Sequence, residues 1–196
     1  MFAALLDTCV LWPSLQRDFL LSLAVEGIYR PLWSSAVLEE LELHEAEKLV
    51  KRGIAGPAEA ERRAHRLIER MRVSFDDAEV IGWEPLEGTF GLPDEDDEHV
   101  LAAAVVGGAG AIVTANLRHF PGSLMPRHLQ VLPPAEFAHN TVSVDPVAAL
   151  RAVHEVATRR QQSDDPLTPE LVLERLERIY DLGKAVAVLR DSLQSP

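Results

Sequence analysis

The chain has 196 residues, 47% hydrophobic and 26% charged, so it can bury a core without disulfides or a structural metal. Its single cysteine, Cys9, excludes an internal disulfide and a cysteine-rich zinc site, and favours a reducing compartment, which we expect to be the cytoplasm. The net charge of −12 opposes binding to nucleic acid.

The N-terminal two thirds of the chain alternates between extended and helical patterns. Short apolar runs predict buried strands, and a proline or serine before a longer amphipathic stretch predicts a helix start. In chain order these patterns give a strand at 2–6, a helix at 13–26, a strand at 29–33, a helix beginning after Ser34 or Ser35, a helix ending near Arg72, a weak strand at 80–83, a helix at 94–106, a strand at 111–114 and a strand at 130–132.

After Pro133 the pattern becomes helical, with a helix at 145–160, a link at 161–165 and a helix start at Thr168. The alternation before that point predicts an α/β fold with a mainly parallel sheet. We therefore predict one α/β domain over residues 1–135 and a helical extension over residues 136–196. Because no apolar run approaches the roughly 18 residues of a membrane-spanning helix, and the start lacks a basic segment, we expect neither a membrane partner nor a signal peptide.

Four oxygen-bearing side chains are expected to converge at one edge of the sheet. Open parallel sheets place ligands at the carboxyl ends of their strands. Asp7 follows the first strand, and Asn116 follows the strand at 111–114. Asp97 lies in the first turn of the preceding helix, and Glu40 lies on the helix after the second strand.

Carboxylate oxygens of this kind suit Mg²⁺ or Mn²⁺, and a bound metal can polarise a phosphoryl oxygen and activate water. Each of these residues alone is also typical of a cap, a solvated helix charge or a loop. The prediction therefore depends on their combination, and not on any single position.

Four blocks of sequence carry a family resemblance. They are Leu-Leu-Asp-Thr-Cys-Val at 5–10, Ser-Ser-Ala-Val-Leu-Glu-Glu-Leu at 34–41, Asp-Glu-Asp-Asp-Glu-His-Val-Leu-Ala-Ala-Ala at 94–104 and Ile-Val-Thr-Ala-Asn-Leu-Arg-His-Phe-Pro at 112–121. With these blocks the chain resembles PIN domains over about residues 1–135, and especially VapC-like toxins of toxin–antitoxin pairs. The resemblance implies a three-layer α/β/α fold with a central, mainly parallel sheet, followed by the helical extension.

The resemblance also implies a Mg²⁺- or Mn²⁺-dependent endoribonuclease that hydrolyses RNA to a 3′-hydroxyl and a 5′-phosphate. Asp7, Glu40 and Asp97 would hold the metal and, with Asn116, would form the catalytic set. Many PIN domains carry Asp at the position of Asn116, so a second metal would be held more weakly here. The implied partners are the RNA substrate, a cognate antitoxin protein and a second copy of the chain in a homodimer.

Several assignments stay open at this level. Glu39 could replace Glu40, and Asp96 could replace Asp97. Substrate contacts are assigned to Thr8, Thr114 and Arg118, although the two threonines could equally be strand-end residues with local hydrogen bonds. A row of arginines four residues apart could follow phosphates, or could be a solvated helix face paired with glutamates; it comprises Arg62, Arg66 and Arg70.

Cys9 and the three tryptophans have plain structural interpretations. We interpret Cys9 as a small core residue. Trp12, Trp33 and Trp83 are scattered along the chain, and we interpret them as core or interface residues rather than as platforms for stacking bases.

Three alternative functions remain. A phosphatase of the haloacid dehalogenase type also has an Asp after its first strand, but it usually needs a second Asp where this chain has Cys9. A catalytically silent PIN-like module could bind RNA or a protein without cutting. A housekeeping RNA-processing PIN nuclease could act without an antitoxin.

Overall fold

A computed structural model describes residues 2–161 and 166–194. The strands are β1 (Ala3–Leu6), β2 (Arg30–Leu32), β3 (Ala111–Val113) and β4 (Gln130–Leu132). The helices are α1 (Thr8–Leu11), α2 (Ser14–Val25), α3 (Ser35–Lys51), α4 (Pro57–Ser74), α5 (Glu98–Val106), α6 (Pro134–Val144), α7 (Pro146–Arg160), α8 (Pro169–Tyr180) and α9 (Gly183–Gln194). Short 3₁₀ turns cover Glu84–Leu86, Glu95–Asp97 and Leu117–His119.

The four strands form one parallel sheet in the order β2-β1-β3-β4. Strands β1 and β3 pair with Leu5 opposite Ile112 and Leu6 opposite Val113. All four side chains are fully buried, as expected for the central strands of a parallel sheet. The predicted fold class, α/β with a mainly parallel central sheet and a helical C-terminal part, is confirmed.

Helix α5 packs against β1 and β3. Its residues from Val100 to Ala104 are fully buried, and the small alanine side chains among them allow a close approach of helix and sheet. Asp97 is the N-cap residue of α5. This packing therefore fixes Asp97 relative to the ends of β1 and β3.

Helix α3 begins where the sequence predicts. The Ser34 hydroxyl accepts a hydrogen bond from the Val37 amide at 3.1 Å, which satisfies one of the free donors of the first turn. The helix ends at Lys51, and Gly53 adopts a left-handed φ of 67° before α4 packs back against α3.

The chain divides into two compact units. Among the described residues, the first contains Phe2 and residues 13–30, 132–161 and 166–194, so α2 groups with the C-terminal helices, and the second contains residues 3–12 and 31–131. In the first unit α2 packs against α7, where the Arg151 guanidinium lies 2.7 Å from a Glu26 carboxylate oxygen. The division predicted after residue 135 stays a prediction, and residues 162–165 of the predicted link lie outside the described residues.

The predicted strand at 80–83 is wrong. Only Glu79 forms a bridge, to Trp33, and the Val80 amide donates to the Trp33 carbonyl at 2.9 Å. Gly82 has a left-handed φ of 80°, which ends the extended backbone, and a 3₁₀ turn begins at Glu84. Across the described residues, no helix combines the length and apolar character that crossing a membrane requires.

Gly107, which follows α5, is expected to tolerate no side chain. A Cβ there would lie 2.8 Å from Val80 Cγ2 and 3.0 Å from both the Ala103 carbonyl oxygen and Leu32 Cδ1. We expect Gly107→Ala to lower the free energy of unfolding by about 1–3 kcal/mol, the usual cost of overpacking. Urea denaturation followed by circular dichroism measures the change.

Gly122→Ala is the matched control, because a Cβ at Gly122 meets no atom within 4 Å. Its free energy of unfolding should be unchanged or raised by up to about 1 kcal/mol, since alanine restricts the unfolded chain. Equal stability of the two variants would contradict the packing described for Gly107.

Candidate active site

The sequence-predicted acids line one pocket at the carboxyl end of β1. The pocket has a volume of about 330 Å³. Its lining residues all belong to the second unit and comprise Asp7, Thr8, Cys9, Trp12, Glu40, His44, Asp97 and Asn116. The four residues expected to converge are therefore brought together.

Asp7 follows β1 directly and is held by the neighbouring strand. Its amide donates to the Val113 carbonyl at 3.1 Å, which continues the β1–β3 pairing. The Thr114 hydroxyl, fully buried, donates to Asp7 Oδ2 at 2.6 Å. A hydroxyl donor orients the carboxylate without placing an opposite charge beside it.

Cys9 is at this site and not in the core, contrary to expectation. Its thiol lies 3.1 Å from Asp7 Oδ2 and accepts from the Ala115 amide at 3.2 Å. Burial, followed by the charge of Asp7, raises the pKa of Cys9 to about 12. The residue is therefore a protonated thiol at neutral pH and does not serve as a nucleophile.

Glu40 reaches the pocket from α3 and is fixed by two side chains. The Thr8 hydroxyl donates to Glu40 Oε2 at 2.6 Å, and His99 Nε2 lies 3.2 Å from Oε1. The other ring nitrogen of His99 lies 3.1 Å from the Ser34 hydroxyl, which orients the imidazole. One serine thus both caps α3 and supports a site residue carried by that helix.

Glu40 and His99 shift each other's pKa in opposite directions. Partial burial favours the neutral form of Glu40, but the hydrogen bonds from His99 and Thr8 outweigh it and lower the pKa of the carboxyl. Burial likewise favours neutral His99, but the bond to Glu40 and its charge outweigh that and raise the pKa of the imidazole. Glu40 is therefore ionised at neutral pH.

Asp97 contacts a histidine that follows β3. His119 Nδ1 lies 2.6 Å from Asp97 Oδ2 and 3.3 Å from Asp94 Oδ2. The Arg118 guanidinium donates to the other ring nitrogen of His119 at 3.1 Å, so the ring proton lies on Nδ1 and is donated to Asp97. Burial, and less strongly the charges of Asp7 and Asp94, raise the pKa of the Asp97 carboxyl. The hydrogen bond from His119 lowers this pKa but does not outweigh them.

Asn116 lies three residues after β3 and is the N-cap residue of the 3₁₀ turn Leu117–His119. Its amide donates to the Thr114 hydroxyl at 2.9 Å, and that hydroxyl in turn donates to Asp7. This chain of hydrogen bonds holds Asn116 at the pocket beside Asp7. Its side-chain amide can orient a ligand or a water molecule, but it adds no negative charge.

The donor set of the pocket fits a divalent cation. Carboxylates of Asp7, Glu40 and Asp97 face it, and no lysine or arginine occurs among the pocket-lining residues that the structure describes. A second group, formed by Asp94, Asp97 and His119, offers ligand atoms within 4.8 Å of one another. A metal ion on His119 Nδ1 would replace the proton now donated to Asp97.

The acidic side chains at 94–98 do not all face the pocket. Asp97 lines the pocket, whereas Asp96 is not among the lining residues. The Glu98 carboxylate turns away and accepts from the Phe90 amide at 3.1 Å and the Leu92 amide at 2.7 Å. Glu98 therefore anchors the preceding loop. Glu39, the alternative to Glu40, is also not a lining residue.

The contacts that support the acids are not indicated by the sequence. His99, His119 and Asp94 lie within the sequence blocks quoted above, but only the folded chain shows that His99 contacts Glu40 and that His119 contacts both Asp97 and Asp94. Trp33 and Trp83 are buried, as predicted, at 0% and 5% exposure. Trp12 is 43% exposed and lines the pocket, so it is not a core residue.

Two members of the arginine row on α4, Arg62 and Arg66, are paired with a glutamate. Glu59 lies 2.8 Å from both Arg62 and Arg63 and 3.3 Å from Arg66. The hydrogen bonds from Arg63 and Arg62 lower the pKa of Glu59 to about 2. This arrangement is that of a solvated helix face, and contact of the row with phosphates stays a prediction.

Comparison with known proteins gives one family. A family model described as a PIN domain matches residues 3–118, which is more than half of the chain and includes every residue that lines the pocket. No curated protein and no solved structure matches the chain. PIN domains are generally nucleases, so the phosphatase alternative no longer applies. The chain belongs to the PIN domain family.

Proposed function

We propose that this protein is a metal-dependent endoribonuclease that hydrolyses RNA phosphodiester bonds. The observation that carries the proposal is the pocket in which Asp7, Glu40 and Asp97 converge beside Asn116 without a lysine or arginine among the described lining residues. Three carboxylates repel one another there, and a divalent cation would relieve that repulsion. A phosphodiester also needs such a cation, because its own charge is negative.

Asp7, Glu40 and Asp97 would hold Mg²⁺ or Mn²⁺. When bound, the ion polarises a phosphoryl oxygen and lowers the pKa of water. Asp94 and His119 could extend the set, and an imidazole ligand would favour Mn²⁺ over Mg²⁺.

The remaining polar residues of the site would position the acids and the substrate. Thr114 orients Asp7, and Thr8 and His99 orient Glu40 through the hydrogen bonds described above. Asn116 would orient the water or a phosphate oxygen through its side-chain amide. Arg118 lies beside His119 and would contact the substrate phosphate as that substrate enters.

We further propose the finer assignment of a VapC-like toxin. Residues 1–135 would form the nuclease domain and residues 136–196 a helical extension, with a cognate antitoxin and a second copy of the chain as protein partners in the cytoplasm. The support for this assignment is the resemblance of the four sequence blocks to such toxins.

Loss of Asp97 is expected to abolish cleavage, whereas loss of its neighbour Asp96 is not. Asp97→Asn and Asp7→Asn each remove a proposed metal ligand, and we expect cleavage of a pool of structured RNAs to fall at least about 100-fold. Asp96→Asn removes the same charge from a residue outside the pocket lining and should keep near wild-type activity. Gel analysis of the RNA with EDTA, Mg²⁺ and Mn²⁺ measures the rates.

Two outcomes of this assay would contradict the proposal. If the wild type cuts nothing with either metal, the chain is instead a binding module of PIN type that lacks activity. If Asp96→Asn and Asp97→Asn lose activity equally, charge in the acidic run matters and the particular carboxylate does not. Thermal unfolding of each variant shows whether any loss reflects the fold.

At Thr114 the hydroxyl is expected to matter more for metal binding and activity than the volume of the side chain. Thr114→Val keeps the volume but removes the donor to Asp7, and we expect metal affinity and activity to fall about 10- to 100-fold, as for other supports of metal ligands. Thr114→Ser keeps the hydroxyl and should recover most of both. Isothermal titration with Mn²⁺ measures the affinity, and equal losses in the two variants would indicate a packing role.

The toxin assignment predicts growth arrest that depends on the site. Induced expression of the wild-type chain in a bacterial host should stop growth, whereas the Asp97→Asn variant at equal protein level should not. Co-expression of an antitoxin encoded beside the gene should restore growth, because it occupies the nuclease. Normal growth with active wild-type enzyme would favour a housekeeping RNA-processing nuclease.

A further inference from the structure

We propose that Trp12 forms a nucleobase-stacking subsite beside the cation site, so that the enzyme holds a base of its RNA substrate next to the cut. This inference rests on the proposed function. Its starting point is that Trp12 is 43% exposed and lines the acidic pocket, whereas Trp33 and Trp83 are buried. An indole that lines a pocket with three carboxylates offers a ligand a flat apolar face beside those charges.

Trp12 is held in place although it is exposed. It is the C-cap residue of α1, only five positions after Asp7. Its indole Nε1 donates to the His44 carbonyl at 3.3 Å, and the Lys48 ammonium lies 5.6 Å from the ring centroid. The same ammonium donates to the Trp12 carbonyl at 3.1 Å. A ring fixed at its edge and its backbone loses little entropy when a ligand stacks on it.

Helix α3 connects this ring to the proposed cation site. Glu40, His44 and Lys48 are spaced four residues apart, so they lie along one face of the helix. Each interval spans about 6 Å along the axis. Glu40 is at the carboxylate site, and the His44 carbonyl holds the indole. A nucleotide whose phosphate lies at the cation therefore has its neighbouring base within reach of Trp12.

A nucleobase suits this subsite better than a second phosphate. The lining carries the three carboxylates and no lysine or arginine among the described residues, so an additional anion would be repelled. The flat, uncharged face of a base avoids that repulsion and gains from stacking on an indole. The ammonium of Lys48, paired with Glu45, lies close to the ring and polarises it.

The test measures RNA binding in the Asp7→Asn background, in which the RNA should stay uncut. A labelled single-stranded RNA of mixed sequence is titrated with the background protein in Mg²⁺, and fluorescence anisotropy gives the Kd. Adding Trp12→Ala should raise the Kd about 5- to 150-fold, the range for loss of one stacked base. Trp12→Phe keeps an aromatic face and should raise it far less.

Two controls separate stacking from a structural role. Ile81→Ala in the same background removes an apolar side chain that is 77% exposed and outside the pocket lining, and its Kd should not change. An RNA of equal length with abasic riboses should bind the background protein and its Trp12→Ala variant equally. A variant that fails to unfold cooperatively is replaced by Trp12→Leu, which fills the position without an aromatic face.

The outcomes are distinct for the two proposals. Equal Kd values for Trp12→Ala and the background protein would overturn the stacking subsite. So would a rise in Kd on Trp12→Ala that is as large with abasic RNA as with the normal RNA. Either result would leave cleavage by the wild type intact. A base-dependent loss on Trp12→Ala in a chain whose wild type never cuts would support the subsite and overturn the nuclease. Absence of measurable RNA binding by the background protein overturns the subsite as well.

Discussion

The parallel pairing of β1 with β3 is the constraint on which the site depends. It places Asp7 and Thr114, 107 positions apart in the chain, in direct hydrogen-bond contact. Side chains alternate between the faces of a strand, so a slip of one residue would turn the strand-end residues away from each other. The thiol of Cys9 and the backbone of Asn116 are positioned through the same pair of strand ends. A short buried ladder therefore fixes Asp7 and Thr114 and, through them, Cys9 and Asn116.

The acids of the pocket are held by hydroxyls and imidazoles, and no lysine or arginine occurs among the described lining residues. Hydroxyls hold Asp7 and Glu40, His99 also holds Glu40, and His119 holds Asp97. A lysine or arginine in these places would form ion pairs and remove the attraction for a cation. The raised pKa of the Asp97 carboxyl is the physical cost of this arrangement, since burial and nearby acids disfavour its charged form. A bound cation would reverse that effect, so metal binding and ionisation of Asp97 support each other.

Sequence patterns predict the sheet and the convergence of its acids, but not how the acids are held. Apolar runs identify β1 and β3, and the rule for strand ends then identifies Asp7 and Asn116. The contact between Glu40 and His99 joins two helices 59 positions apart in sequence, and no local pattern encodes it. The strand predicted at 80–83 failed because Gly82 takes a left-handed φ that hydrophobic alternation does not reveal. Cys9 was misjudged because an apolar neighbourhood in sequence does not indicate which side chain meets a carboxylate.

The overall charge of −12 limits how RNA could be bound if the proposed function is correct. Many nucleic-acid binding proteins gain affinity by neutralising phosphates with lysine and arginine. Here the guanidinium groups of Arg62 and Arg66 are paired with Glu59. Affinity would then come from cations at the carboxylates and from contacts with bases close to the cut. Because such contacts involve few nucleotides, affinity would depend on the nucleotides around the scissile bond more than on the length of the RNA.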